Sequence, residues 1–203
     1  MNQYVYQRRP VDNSAIPTVI FWLLIANGLV FALQQFSQLG MFALWPLGSG
    51  LFMPWQVLTY GFLHGGVWHI FFNMFALWMF GRDLERIMGA KRFLIYYLTC
   101  VVGAAVVQLV VAMLQGGIYP TIGASGGVFG ILLAYGMAFP NNTVMLLFPP
   151  IPMKAKYFVI VFGALELFLG VAGTAPGVAH FAHLGGMLFG WLLLRYWRRP
   201  RTR

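Results

Sequence analysis

Residues 93–139 read FLIYYLTCVVGAAVVQLVVAMLQGGIYPTIGASGGVFGILLAYGMAF, and no Asp, Glu, Lys or Arg follows before residue 154. An α-helix rises 1.5 Å per residue, so about 20 apolar residues cross the hydrocarbon core of a bilayer. The run is therefore long enough for two such helices and a turn. Its apolar residues are continuous and do not alternate with polar ones, which favours helices over the strands of a membrane barrel.

Two similar low-charge blocks lie on either side of this run. Residues 13–81 contain no Asp, Glu, Lys or Arg, and residues 157–194 contain only Glu166. The sequence therefore predicts an all-α polytopic membrane protein, a bundle of six transmembrane helices at about residues 17–35, 66–84, 92–114, 124–139, 157–172 and 178–197. The short fourth and fifth spans are typical of helices packed within protein. The predicted units are an N-terminal tail (1–16), the membrane domain (17–197) and a basic tail (198–203).

The composition supports a membrane protein and argues against a soluble nucleic-acid-binding domain. The chain is 60% hydrophobic and 8% charged, whereas soluble domains carry about 25% charged residues. Its formal net charge of +9 would indicate nucleic-acid binding if the basic side chains covered a soluble surface. Instead, all 13 Lys and Arg fall into four clusters, at residues 8–9, 82–92, 154–156 and 195–203. We therefore expect contact with the lipid bilayer and none with nucleic acid.

The four basic clusters also predict how the chain is oriented. Basic residues accumulate in short cytoplasmic loops, and in a six-span arrangement all four clusters fall on one side, so both termini are predicted to be cytoplasmic. The first apolar run lacks a small-residue cleavage pattern, which favours a retained helix over a signal peptide. Short termini without an Arg- and Ser-rich leader favour a bacterial cytoplasmic membrane. The single Cys100 leaves neither a disulfide framework nor a thiolate metal site.

The first connection, residues 36–65, is too long for a simple turn. It is rich in aromatic residues and interrupted by glycine and proline. This mixture predicts a partly submerged loop whose rings lie at the headgroup level. The loop is either a lateral lid over a site or an ordinary interfacial loop.

Polar side chains within the spans mark a candidate site, because an unpartnered polar group in lipid is costly. In the predicted topology the second, fourth and sixth helices all start at the non-cytoplasmic face. His69, Ser125 and His183 each follow the start of one of these helices by a few residues. At 1.5 Å per residue they share one depth, roughly 3–10 Å below that face, where water can enter.

Ser125 lies in the sequence GASGG, residues 123–127, where a loop meets the fourth helix. A serine hydroxyl becomes a good nucleophile when a base removes its proton. Free N–H groups at a helix N-terminus can stabilise an oxyanion, and glycines permit a sharp turn. The alternative is that these small residues only allow tight packing of membrane helices.

His183 lies near the start of the sixth helix and is the candidate base. Gly186 and Gly190 form a small-residue face after it, and the fourth helix offers a matching face made by Gly126, Gly127 and Gly130. Close approach of these faces would bring His183 within hydrogen-bonding reach of Ser125. Phe129, four residues after Ser125, could stack on the imidazole. The alternative is a structural histidine packed between helices.

His69 and Asn73 are four residues apart and share one face of the second helix. Together with the Ser125 amide they could supply three hydrogen-bond donors to an oxyanion. The alternative is that they join neighbouring helices by hydrogen bonds.

The sequence leaves the serine and histidine without an obvious third partner. Three acidic residues, Asp12, Asp83 and Glu85, are at or near the cytoplasmic side, where Asp83, Glu85 and Arg86 are expected to pair. Glu166 is mid-span and is expected to hydrogen-bond within the bundle. We therefore predict a dyad with no cofactor. A metal site is disfavoured because the histidines lack a nearby carboxylate or thiolate ligand.

Taken together, these motifs resemble the rhomboid family of intramembrane serine proteases. The resemblance extends over about residues 55–190 and includes GFLH ending at His64, the His69 and Asn73 spacing, GASG around Ser125, and AHLGG containing His183. It implies that Ser125 is the nucleophile and His183 the general base. It also implies that the oxyanion is held by His69, Asn73 and the Ser125 amide, and that the substrates are transmembrane proteins cut in or near the membrane.

The resemblance gives His64 a supporting role near the oxyanion and Phe129 a packing role beneath the histidine. Two positions depart from the family pattern. Gln56 follows Trp55 where many members have Arg, which puts the polar anchoring of the first loop in doubt, and His180 stands where some members have Asn.

Two other functions remain alternatives. A non-catalytic relative that binds membrane clients typically lacks the serine or the histidine, and both are present here. A transporter is expected to have inverted repeats and a polar site at the midplane, whereas this polar cluster is shallow and one-sided.

Overall fold

Six long helices form the body of the chain in the computed structural model, which describes residues 16–146, 150–173 and 178–198. Each predicted span coincides with a helix whose ends lie within four residues of those expected. A one-turn helix, α2 (Gln56–Thr59), precedes the second of them. The long helices are α1 (Thr18–Gln34), α3 (Val67–Met88), α4 (Ala90–Gln115), α5 (Ser125–Ala138), α6 (Ala155–Ala172) and α7 (His180–Trp197). Except for Ile16 and Arg198, the predicted tails lie outside the described residues.

The long helices differ in how apolar they are. Within the described part of the chain, α4 and α6 are long and apolar enough to cross a membrane by length and composition alone, and α1 and α5 are apolar but shorter. The largest difference from the predicted bounds is in α3, which continues to Met88. It ends there because Gly89, with φ of 78°, reverses the chain directly into α4.

The expectation of an all-α chain is wrong at one connection. After α5, strands β1 (Thr143–Met145) and β2 (Pro152–Lys154) pair antiparallel, with Thr143 opposite Lys154. Val144 is buried between two exposed neighbours, so one side chain of β1 points inward. Each strand has only three residues. This is too few for the alternating pattern of a strand to be recognised in the sequence.

Helix α4 lies at the centre of the bundle and packs against both α5 and α7. It runs antiparallel to α7, since Tyr96 lies beside Trp197 at one end and Val107 lies beside Gly185 at the other. The Tyr96 hydroxyl donates a 2.7 Å hydrogen bond to the carbonyl of Gly130. This bond holds α5 against α4.

Helices α5 and α7 approach most closely at three of the predicted glycines. A Cβ atom on Gly186 would overlap the Gly126 carbonyl group, and a Cβ atom on Gly130 would lie 3.1 Å from the Gly186 carbonyl oxygen. The predicted contact between small-residue faces is therefore present. It is the contact that sets the distance between the first turns of the two helices.

The remaining glycines of these faces pack elsewhere. A Cβ atom on Gly127 would collide with Tyr97, and one on Gly190 would collide with Tyr96 and Cys100. Both glycines therefore accommodate side chains of α4, so part of each predicted small-residue face packs against α4. Periodicity alone did not reveal that three helices meet here.

The acidic residues of α3 have two different partners. Asp83 lies 3.4 Å from Arg86, as expected. Glu85 was expected to join them, and this is wrong. Its carboxylate accepts 2.9 Å hydrogen bonds from the N–H groups of Val19 and Ile20. It thus caps the first turn of α1, where N–H groups lack partners within the helix.

Gln56 anchors the first loop. Its side chain is fully buried, and its amide nitrogen donates 3.0 Å hydrogen bonds to the carbonyls of Met41 and Leu51. Its amide oxygen accepts a 3.1 Å hydrogen bond from the N–H of Trp45. The departure from the family pattern at this position therefore leaves the loop with a polar anchor.

The same loop supports the segment that leads into α5. Leu44 and Thr121 exchange two backbone hydrogen bonds of 2.9 Å, and the N–H of Gly123 donates a 3.0 Å bond to the carbonyl of Tyr60. The loop thereby holds the entrance to α5 in place.

Candidate active site

Ser125 is the first residue of α5, and Gly123 shapes the turn before it. Gly123 has φ of 129°, which a residue with a side chain rarely adopts. A Cβ atom there would also lie 2.8 Å from the Nε2 atom of His69. Glycine is thus required both for the backbone turn and for space beside His69. The first N–H groups of α5 have no acceptor within the helix.

Ser125 and His183 are in hydrogen-bonding contact. The serine Oγ atom lies 2.7 Å from the Nε2 atom of His183, which is in the first turn of α7. His183 is buried, at 8% exposed, and Ser125 is half-buried. This is the contact between nucleophile and base that serine hydrolases require.

Phe129 holds the plane of the His183 ring. The two rings are stacked, with centroids 4.3 Å apart and planes within 5° of parallel. Because Phe129 is one turn after Ser125 on α5, the same helix presents both the hydroxyl and the surface on which the imidazole rests. The predicted stacking is therefore present.

Glu166 completes a line of three polar groups, contrary to prediction. Its Oε2 atom lies 2.8 Å from the Nδ1 atom of His183. The expectation that no acidic residue reaches the pair is wrong, although the expected hydrogen bonding of Glu166 within the bundle is confirmed. Glu166 is six residues before the end of α6, about 9 Å along the axis, which falls within the range of roughly 3–10 Å predicted for His183. Counting residues from the end of the predicted fifth helix could have indicated that Glu166 lies near the depth of His183.

His180 is the site residue to which the sequence assigned no role. Its Nδ1 atom lies 2.7 Å from the same Oε2 atom of Glu166. Its buried Nε2 atom has no hydrogen-bond partner among the described residues. His180 and His183 are three residues apart and therefore share one helix face. This spacing could have predicted that His180 lies close to the site.

His69 and Asn73 face the serine from α3. The N–H of Gly65 donates a 3.2 Å hydrogen bond to the Nδ1 atom of His69. In the neutral ring the hydrogen is therefore on Nε2, the atom beside Gly123. The Asn73 amide donates one hydrogen, at 2.9 Å, to the His69 carbonyl, which leaves its second hydrogen for another acceptor. The arrangement fits two donors for an oxyanion, and that role stays a prediction.

His64 lies behind His69. It is 2% exposed, and its ring meets that of His69 edge to face at 5.0 Å. Burial, with a smaller contribution from His69, lowers the pKa of His64 to about 4. The Gln34 side chain holds its backbone through two hydrogen bonds, of 2.9 and 3.2 Å. His64 is thus a buried ring in contact with His69, and its supporting role stays a prediction.

A cavity of about 590 Å³ opens beside Ser125, between α3, α5, α6 and β1. Its polar lining residues are His69, Asn73 and Ser125, and the rest of its lining is apolar and largely aromatic. Phe80 and Phe158 meet at 5.9 Å and connect α3 to α6 within this lining. The cavity could accommodate an apolar peptide segment next to the serine.

One cluster of the described residues has the composition of a metal site. Glu166, His180 and His183 offer three ligand atoms within 4.8 Å of one another. The argument that the histidines lack a nearby carboxylate is therefore wrong for these two. The short Nδ1 to Oε2 distances fit hydrogen bonds, and the absence of a metal stays a prediction.

Comparison with known proteins gives a family match over most of the chain. The model of the rhomboid domain matches residues 51–200. The chain is similar to rhomboid protein 1, mitochondrial, of Saccharomyces cerevisiae, with 31% identity over 73% of this chain and 44% of the relative. It is also similar to human presenilin-associated rhomboid-like protein, mitochondrial, with 31% identity over 83% of this chain and 45% of the relative.

A bacterial relative is similar over a shorter region. The rhomboid protease GluP of Bacillus subtilis is 32% identical over 67% of this chain and 24% of the relative. The chain therefore spans less than half the length of each of these three relatives.

Proposed function

Because the chain belongs to the rhomboid family, which implies a polytopic membrane bundle, we propose that it is an intramembrane serine endopeptidase. It hydrolyses peptide bonds in or near the transmembrane segments of membrane proteins. Ser125 is the nucleophile and His183 the general base. The observation that carries the proposal is the 2.7 Å contact between the Ser125 Oγ atom and the His183 Nε2 atom.

The proposed chemistry follows from the positions of the donors and acceptors. His183 Nε2 takes the hydroxyl proton while the Ser125 oxygen attacks the substrate carbonyl. The new oxyanion accepts hydrogen bonds from the Ser125 amide, His69 Nε2–H and Asn73. His183 then gives its proton to the leaving amine, and water hydrolyses the acyl-enzyme by the same steps, with His183 again the base.

The cavity supports an apolar substrate segment. Phe72, Phe75 and Met79 of α3 line one side of it, and Phe158 and Phe162 of α6 line the other. A substrate therefore enters between α3 and α6 from the lipid. Its peptide bond must leave the helical conformation first, because a helical backbone is shielded by its own hydrogen bonds and side chains. Residues that favour unwinding therefore promote cleavage.

The proposed orientation has both termini in the cytoplasm and the site near the opposite face. Ser125 and His183 lie in the first turns of α5 and α7, whereas Arg195 lies in the last turn of α7. Lys91 and Lys154 also lie at the ends of helix pairs away from the serine. The relatives named above include mitochondrial and bacterial proteins, so the bacterial cytoplasmic membrane stays a prediction.

The decisive experiment combines cleavage with covalent labelling. Purified protein in detergent or liposomes is expected to cleave a single-span model substrate, and a fluorophosphonate probe is expected to label Ser125. Ser125→Ala should abolish both activities, and His183→Ala should abolish labelling while Ser125 remains. Ser37→Ala is the matched control, because Ser37 is exposed in the first loop. Full cleavage by Ser125→Ala would refute the proposed function.

A further inference from the structure

The carboxylate of Glu166 lies between two imidazole rings. Its Oε2 atom is 2.7 Å from His180 Nδ1 and 2.8 Å from His183 Nδ1. All three residues are at most 9% exposed. A carboxylate in such surroundings is stable only when its oxygens accept hydrogen bonds, and the two ring nitrogens provide them.

The packing of α6 against α7 produces this arrangement. Gly163, Glu166 and Gly170 lie on one face of α6. A Cβ atom on Gly163 would lie 3.3 Å from Met187, and one on Gly170 would lie 3.1 Å from the Cβ atom of His180. Glycine on each side of Glu166 thus lets α6 approach the N-terminal half of α7. The carboxylate thereby reaches both rings.

The shared oxygen determines where the hydrogens are. An ionised carboxylate only accepts hydrogen bonds, so both Nδ1 atoms must carry hydrogens. Neutral His183 then has its lone pair on Nε2, the atom 2.7 Å from the Ser125 hydroxyl. This is the tautomer that can remove the serine proton.

The charge of Glu166 also matters once the proton moves. His183 becomes an imidazolium in a largely apolar environment, where an adjacent negative charge stabilises it far more than in water. Of the chain's four acidic residues, Asp83 and Glu85 lie near the opposite end of α3, and Asp12 lies outside the described residues. Glu166 therefore supplies the acidic counter-charge at the site.

We propose that Glu166 is the positioning residue of a Ser125–His183–Glu166 triad and that His180 holds its carboxylate from the other side. This rests on the proposed function and replaces the dyad expected from the sequence. Glu166 selects the tautomer of His183, orients its ring and stabilises its protonated form. His180 prevents the carboxylate from rotating away.

The test compares variants of Glu166 in the full chain. Glu166→Gln keeps the shape but loses the charge, so we expect both kcat and the rate of Ser125 labelling to fall by about 10²–10⁴-fold, with little change in KM. Glu166→Asp keeps the charge and should recover part of the rate. His180→Ala should lower the labelling rate by about 10–100-fold, the loss of one charge-assisted hydrogen bond. His180→Asn, which retains a donor, should lower it less.

A matched control separates catalysis from folding. Glu85 is also a buried carboxylate that accepts two hydrogen bonds, but at the start of α1. Glu85→Gln should lower the unfolding temperature and leave the Ser125 labelling rate unchanged. Glu166→Gln should lower the Ser125 labelling rate strongly even where its fall in unfolding temperature is no larger than that of Glu85→Gln.

A spectroscopic measurement tests the tautomer directly in the wild-type protein. The chain has only four histidines, so the imidazole ¹⁵N signals can be assigned with single variants. His183 should show a protonated Nδ1 and an unprotonated Nε2. A wild-type spectrum with the hydrogen on Nε2 would overturn the proposal even if every Glu166 variant failed to fold.

The remaining outcomes distinguish the triad from the proposed function. If Glu166→Gln labels at the wild-type rate while Ser125→Ala is unlabelled, the triad is wrong and the protease assignment stands. If Ser125→Ala still cleaves, the protease assignment itself is wrong. Wild-type labelling that is lost in a chelator and restored by Zn²⁺ would also overturn the triad, because the Nδ1 atoms would then be metal ligands.

Discussion

Gly186→Ala tests the contact that brings the serine and histidine together. A Cβ atom on Gly186 would lie 2.7 Å from the carbonyl carbon of Gly126, and ordinary contact begins at 3.4 Å. Helices α5 and α7 must therefore separate by at least about 0.7 Å, the difference between these two distances, and by more to clear the Gly126 carbonyl oxygen, which the added carbon would overlap. A rigid separation of that size would stretch the contact between Ser125 and His183 from 2.7 Å beyond the roughly 2.6–3.2 Å range for proton transfer.

The expected effect is large on catalysis and moderate on stability. Misplacement of reacting groups by about 1 Å costs about 10²-fold in rate, so we expect fluorophosphonate labelling of Ser125 to slow by about that factor. Overpacking of a close contact typically lowers the free energy of unfolding by about 1–3 kcal/mol. The assay is the second-order labelling rate, measured together with thermal unfolding in the same detergent.

Gly28→Ala is the matched control for this substitution. Gly28 is within α1, and no heavy atom lies within 4 Å of the position where its Cβ atom would be. The control should label Ser125 at the wild-type rate with equal or slightly higher stability. Wild-type labelling and wild-type stability in Gly186→Ala would refute the reasoning, since they would mean that the two backbones do not meet at this glycine.

Three further substitutions test the loop, the oxyanion site and the buried histidine. Gln56→Leu removes three hydrogen bonds and should lower the free energy of unfolding by about 1–3 kcal/mol and accelerate proteolysis within residues 36–65. Asn73→Ala should lower kcat by about 10²–10³-fold with little change in KM, as measured by single-turnover cleavage. The pKa of His64 is lowered from 6.5 to about 4, so the unfolded chain gains a proton before the folded one as pH falls. The stability that His64 contributes is therefore complete above pH 6.5 and lost between about pH 6.5 and 4, and His64→Phe should lose less stability over that interval in pH-dependent thermal melts.

The positions of the helices could be predicted because the relevant forces act on each segment separately. Charged residues are excluded from the hydrocarbon layer wherever they occur in the chain, so the low-charge blocks mark the spans without knowledge of neighbours. The hairpin of β1 and β2 escaped prediction because three-residue strands have no measurable period. The role of Gln56 escaped prediction because its three partners come from separate parts of one loop.

The third member of the site shows why contacts are harder to predict than depth. Glu166 could be placed along α6 by counting residues from the helix end, and this count falls within the depth range predicted for His183. Whether its side chain points to lipid or to α7 depends on the rotation of the helix, which Gly163 and Gly170 set by packing against α7. Neither the hydrophobic pattern nor any single motif predicts the rotation of α6 about its axis.

The sequence by itself located the long helices of the described residues to within four residues at each end, predicted a shared depth for Ser125 and His183, and carried the resemblance to a protease family. These depend on the cost of burying charge and on residue types at short spacing, which are local properties. Only the tertiary structure decided which helix faces meet. It brought His183 to Ser125 through Gly126 and Gly186, and it placed the Glu166 carboxylate against His180 and His183. The physical reason is that the chemistry of each side chain is a local property of the sequence, whereas the distances between helices depend on how their surfaces pack.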